Sequence, residues 1–114
     1  MQKIRLLVFP GGFNWPVWVA EEQGFFAREG IAVETSLTPG SVYQFTELIA
    51  GRVDLVITLI DNIIAYREGQ GEVPISADDL FSFMALDTRV YPALVTLPEI
   101  KTYDDLRGKT LSVD

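Results

Sequence analysis

Three observations predict an α/β fold with helices on both faces of a mostly parallel central sheet, a three-layer sandwich. Short apolar runs alternate with helix-period stretches along the chain. Asp54–Thr58, DLVIT, is a continuous apolar run of the kind a sheet-buried parallel strand shows. The two ends of these units also differ in chemistry. The connections at 10–14, 38–41, 58–61 and 87–91 carry glycine, hydroxyl, amide or charged residues, whereas the alternate ones, such as Gly30 and Arg52-Val53, are short and bland.

Each element has its own justification. Ile4–Phe9 is apolar apart from Arg5 and is predicted as a buried strand. Asn14 is placed to cap a helix starting at Trp15, with Pro16 in the first turn and Trp15, Trp18 and Val19 on one face. Gly24 stops that helix, and Phe25–Glu29 adds a turn before Gly30. Ile31–Leu37 alternates apolar and polar side chains, as a strand does. Ser41-Val42-Tyr43-Gln44 has the form of a capping box opening a helix with the stripe Phe45, Leu48 and Ile49, closed at Gly51. A further helix is predicted from Asp61 to Gly69, followed by a loop to Asp79. Leu80–Leu86 and Ala93–Leu97 are predicted as strands. Thr102–Asp105 repeats the cap pattern over a turn that Gly108 stops, and Thr110–Val113 begins a strand.

Composition narrows the function classes. The 114 residues are 48% hydrophobic and 22% charged, a globular balance. The net charge of −7 disfavours nucleic acid, which needs a basic patch. It disfavours an anionic membrane surface for the same reason. With no cysteine and no histidine, disulfides, thiolate chemistry, Cys/His metal sites and a histidine base are all excluded. No metal or cofactor is expected. The opening MQKIRLLVFPGG lacks the long apolar run and small-residue cleavage site of a secretory signal. No run is long enough to span a membrane.

In parallel α/β sheets, ligands gather beyond the carboxyl ends of the strands. The candidate ligand residues are therefore those of the polar connections. Gly12, beside Gly11, lets backbone approach a ligand. Asn14 stands at a helix start. Trp15 and Trp18 offer aromatic faces. Gly40 and Ser41 open the next helix, whose amino end favours anions. Thr58 and Asp61 flank the third strand's exit. Arg89 supplies a guanidinium for an anionic group, and Tyr91 a ring and hydroxyl. Glu21 and Glu22 do not converge as an acid–base pair, because adjacent helix residues diverge. Gly11-Gly12 lacks the spaced third glycine of a dinucleotide fingerprint.

Several segments, taken in order, resemble a known family. They are NWPVWVAEEQGFFAREGIAVE, PGSVYQFTELIAGRVDLVIT and YDDLRGKTLSVD. Within them lie Ala20–Phe26, Gly30–Val33, Gly40-Ser41, Ala50–Asp54 and Asp105–Lys109. This ordered set resembles the solute-binding proteins of ABC importers, type II periplasmic-binding fold, in the sulfonate, nitrate, taurine and thiamine-precursor group. The resemblance implies a non-catalytic protein that captures a small organic ligand and hands it to a membrane permease. It also implies an extracytoplasmic location, although the chain's own start leaves a cytoplasmic one open. Members of the group are bilobal and much longer. The resemblance therefore assigns 1–97 to an incomplete first lobe and 98–114 to the hinge and the start of a second. Such a lobe is expected to self-associate through exposed apolar surface. Other readings are a relative of the thiamine-pyrimidine biosynthetic enzymes, an effector-sensing domain of the same fold, and a fragment with no ligand function of its own.

Overall fold

Leu6, Leu7 and Val8 are buried although their side chains alternate between two faces, so the strand that carries them is covered on both sides. The computed structural model describes residues 1–88 and 93–112. The element order is β1 (Gln2–Val8), a 3₁₀ turn (Gly12–Asn14), α1 (Trp15–Glu22), α2 (Phe25–Arg28), β2 (Ile31–Leu37), α3 (Ser41–Ile49), β3 (Leu55–Ile57), α4 (Ile60–Arg67) and a 3₁₀ turn (Asp104–Leu106). The three strands form a parallel sheet in the order β2-β1-β3, with Val8 paired to both Leu37 and Ile57. The fold is mixed α/β, as predicted, and all described strand pairs are parallel.

The chain leaves β1 on one side to reach β2, then crosses back over β1 to reach β3. Right-handed crossovers in opposite directions place their helices on opposite faces. The packing agrees. Leu6 and Val8 meet Val17 of α1, with Phe26, Val33, Leu55 and Ile57 around them. A second cluster joins Phe45 of α3, Tyr66 of α4 and Ala77, with Ile63, Val73, Ile75 and Leu80 against it. Gly51 (φ 70°) and Gly69 (φ 68°) take the left-handed conformation that ends α3 and α4.

An ion pair ties β1 to the turn before β3. Arg5 donates from Nε and Nη2 to the Asp54 carboxylate and from Nη2 to the Gly51 carbonyl, while its backbone N–H also reaches Asp54 Oδ2. The Arg5 side-chain bond, then the Arg5 backbone bond, pull the Asp54 carboxyl from 3.8 down to about 2. A depressed folded-state value means stability that is complete above about pH 4 and lost as pH falls through 2. Urea midpoints measured from pH 5 to pH 2 will fall for the natural chain and fall less steeply for Asp54→Asn. Equal slopes would show that Asp54 contributes nothing to acid unfolding.

The structure corrects several expectations. Residues 80–86 and 93–97 are not strands. Phe81 (72% exposed) and Val95 (87%) face solvent, and no described strand lies beside them to supply a ladder. Residues 110–112 are likewise outside any strand, and Val113 lies outside the described residues. β3 is shorter than expected and is paired on one side only among the described residues. α4 begins at Ile60 with Leu59 at the cap position, so Asp61 sits in the first turn and does not cap. The cap pattern at Thr102 is half realised: Asp105 Oδ2 accepts the backbone N–H groups of Lys101 and Thr102, both at 2.9 Å.

Candidate functional site

Because all three strands run the same way, the segments leaving Val8, Leu37 and Ile57 emerge along one edge. Between β1 and β3 the direction of chain travel reverses, the place where an open parallel sheet forms a crevice. An open cavity of about 500 Å³ lies there. It is lined by Phe9 from the first exit, Pro39, Gly40, Ser41 and Val42 from the second, Asn62 of α4 after the third, and Glu72. The volume falls within the range of small-molecule pockets, roughly 300–1,000 Å³. A smaller hollow of about 220 Å³ sits at the opposite strand ends, lined by residues that include Met1, Phe26 and Ile31.

Each wall has a local cause. Asn14 is 1% exposed, and its Nδ2 donates to the Phe9 carbonyl at 2.7 Å, which clasps the first exit into a closed loop. The asparagine thus occupies the cap position of α1 without capping it. Within that loop Gly11 leaves no room for a side chain without moving Phe13, since an added Cβ would fall against the Phe13 ring. Gly12 has ample room, with only Trp15 near an added Cβ. In the second exit, the Thr38 hydroxyl donates to the Gly40 carbonyl at 2.7 Å and accepts from the Gly40 N–H at 3.3 Å. That fixes the turn on which Gly40 and Ser41 are carried.

The capping box is not formed. Gly40, in an extended conformation, is the cap residue of α3, and Ser41 is the first helical residue. Gln44 instead turns inward, fully buried, and its Nε2 donates to the carbonyls of Leu7 (3.0 Å) and Ile57 (2.9 Å). One amide thus bridges the ends of β1 and β3 just before they open into the cavity. Two strand carbonyls gain a donor deep in the fold, and that outweighs a solvent-side cap.

Ser41 Oγ donates to Glu72 Oε1 at 3.1 Å. Glu72 reaches the rim because its loop is packed, not loose. Val73, Ile75 and Ala77 all lie on the Phe45–Tyr66 cluster. Gly71 presses on the Tyr66 ring, where an added Cβ would come within 2.3 Å of Cδ1. Asn62 Nδ2 donates to Thr58 Oγ1 at 2.9 Å, tying the third exit to the start of α4.

Of the predicted site residues, Gly40 and Ser41 line the cavity, and Thr58 holds Asn62, which does. Gly12 and Asn14 belong to the same edge but not to the lining. Trp15 (64% exposed) and Trp18 (45%) project from α1 with ring centroids 6.4 Å apart. Asp61 is exposed beside the third exit. Arg89 and Tyr91 lie outside the described residues. Sequence reasoning missed Phe9, Pro39, Val42, Asn62 and Glu72. The alternation of Gly71, Val73, Ile75 and Ala77 with Glu72, Pro74 and Ser76 is a signal that this loop packs, but it does not place Glu72 at the cavity. No His/Cys/Asp/Glu group suited to a metal occurs among the described residues, and no described helix is long and apolar enough to cross a membrane.

Comparison with known proteins identifies the family. The profile of the family described as NMT1/THI5 like matches residues 14–113. A protein of Bacillus subtilis (strain 168) named "Putative binding protein YtlA" is 31% identical over 100 residues, covering 86% of this chain and 28% of the relative. The chain thus spans less than a third of that relative's length. No solved structure matches. The solute-binding resemblance carried by segments such as Ala20–Phe26 and Ala50–Asp54 holds at the level of the family: the chain belongs to the NMT1/THI5-like family.

Proposed function

We propose that this chain supplies one wall of a solute-binding site in the binding component of an ABC importer. The cavity at the β1/β3 crevice holds a small organic ligand, which a membrane permease then receives. Residues 1–97 act as the first lobe and 98–114 as the lead into a second, and the protein works outside the cytoplasm. The observation that carries this reading is the convergence of three strand exits on one cavity at the reversal of strand order. The binding-protein name of the Bacillus relative supports it. The absence of histidine from the sequence favours capture over acid–base catalysis. Gly40, Ser41 and Asn62 form the inner contacts, Thr58 supports Asn62, and Gly12, Asn14, Trp15, Trp18 and Asp61 belong to the same edge; Arg89 and Tyr91, outside the described residues, are proposed as ligand contacts from the sequence alone.

Gly40 offers a clean test. Its backbone is extended (φ 176°, ψ 170°), and an added side chain meets open space. Gly40→Asn places a strong cap over the first amides of α3, a change that favours the helix by a few tenths of a kcal/mol. It also fills the wall of the cavity. The expected result is an unchanged or slightly higher Tm together with at least tenfold weaker binding of any sulfonate, nitrate or aminopyrimidine found to shift the melting of the natural chain. Binding unaffected by Gly40→Asn would remove the cavity from the site.

Phe81, Phe83, Met84, Leu94, Val95 and Leu97 are all more than half exposed. Exposed apolar surface drives association where it is contiguous and nothing covers it. Light scattering at rising concentration is expected to give masses above the 12.7 kDa of one chain, reduced by Phe81→Ser with Phe83→Ser. A monomer at all concentrations would refute it.

A further inference from the structure

We infer that Glu72 sets the charge preference of the cavity, selecting ligands that present a cationic or N–H-rich group and rejecting simple anions. The inference rests on the cavity being the binding site, as proposed above. Among the described lining residues, Phe9, Pro39, Gly40, Ser41, Val42, Asn62 and Glu72, only Glu72 carries a formal charge. Its carboxylate lies beside the amino end of α3, bonded through Oε1 to the hydroxyl of Ser41, the first residue of that helix. A helix start favours one nearby anion, and here the chain provides its own. The anion-attracting character expected of this turn is therefore offset by a resident carboxylate, although no side chain caps the first amides of α3. Glu72 makes no ion pair among the described residues, and Oε2 has no hydrogen-bond partner there. That oxygen is an acceptor left for a ligand.

The neighbouring groups agree. Asn62 gives one Nδ2–H to Thr58, which fixes the amide, and its carbonyl oxygen is a second acceptor on the lining. Two acceptors in one cavity suit an amidinium, a guanidinium or a protonated amine. A sulfonate or nitrate would have to approach a carboxylate in a chain of net charge −7. The position of Glu72 is also built rather than incidental. Gly71 lies against Tyr66, and Val73 and Ile75 are anchored in the core, so the loop holds the carboxylate at the rim at little further entropic cost.

The test uses two probes with the same ring and opposite charge, benzamidinium and benzenesulfonate. Each is titrated into the isotope-labelled full chain while backbone amide signals are followed, in parallel with Glu72→Gln. Benzamidinium is expected to move the amides of Gly40, Ser41, Val42 and Asn62, with benzenesulfonate inert at the same concentration. Glu72→Gln should weaken benzamidinium at least tenfold and admit benzenesulfonate. Glu72 is exposed and, among the described residues, bonds only Ser41, so the variant will retain the spectrum of the folded chain outside the rim. Benzenesulfonate binding as well as benzamidinium at these amides would overturn the inference while leaving the site in place. So would Glu72→Gln affinities equal to those of the natural chain, and either result would point to another group, such as Arg89, as the source of selectivity. If neither probe moves those amides, the cavity is not the site and both readings fall.

Discussion

Phe45→Ala will cost about 3–5 kcal/mol of folding free energy, the range for a fully buried phenylalanine, and will leave little cooperative unfolding to measure. Phe45 is 0% exposed and stacks on Tyr66 with ring centroids 4.4 Å apart and planes 15° from parallel. The pair is the centre of the cluster that holds α3, α4 and the 71–80 loop together. Few buried side chains surround it, so a cavity left by the ring has little from which to refill. A domain of this size typically has about 5–15 kcal/mol in total. Phe45→Leu retains most of the volume and should cost about 1–2 kcal/mol. The measurement is the urea midpoint at constant m-value. A loss below about 1 kcal/mol for alanine would mean that the second cluster does not organise the fold. The consequence reaches the site as well, because the loop that carries Glu72 to the rim packs on this core through Gly71, Val73 and Ile75.

Local pattern located the sheet and helices well wherever the partner of each residue was also local. Ile31–Leu37 was legible in its bounds, which match β2, but not residue by residue: Ile31, Ala32 and Val33 are half-buried while Glu34 to Leu37 are exposed, so the apolar–polar alternation marks a strand without setting which residues are covered. The stops at Gly51 and Gly69 were legible because a left-handed turn is a property of a single residue. The pattern misled at Leu80–Leu86, where the composition suits a strand but ladder partners are lacking among the described residues; β-propensity describes fitness for a half-buried surface, not the presence of one. It misled again at Ser41 and Gln44. Their spacing permits a capping box, but Gln44 finds carbonyls 37 and 13 positions away. No window of sequence contains both. The candidate site divides in the same manner. Gly40 and Ser41 were legible from the strand-exit rule, whereas Glu72 depends on how a glycine meets a tyrosine ring in three dimensions.

The second large effect concerns that buried amide. Gln44→Glu keeps the shape of the side chain and replaces its donor with a second acceptor, facing the carbonyls of Leu7 and Ile57. At neutral pH the variant must either bury a carboxylate against two carbonyl oxygens or bind a proton to avoid doing so. The expected loss is about 3–5 kcal/mol, similar to that of a buried charge stripped of its partner. Gln44→Leu, which removes the donor without adding charge, should lose about 2 kcal/mol, mainly for the two abandoned carbonyls. The pH response separates the two. Burial raises the folded-state value of the new carboxyl above its unfolded one, so the damage is relieved as pH falls toward the ordinary glutamate range near roughly 4.3. The protonated acid regains one O–H donor. The natural chain, governed by Asp54, moves the opposite way at still lower pH. Urea midpoints at pH 7 and pH 5 are therefore expected to converge toward the natural value for Gln44→Glu and to stay parallel for Gln44→Leu. A glutamate variant as stable as the natural chain at pH 7 would show that the bridge between the ends of β1 and β3 contributes nothing. In that case the crevice those strands open into would need another explanation for its shape, because no other described side chain joins both of their carbonyl ends.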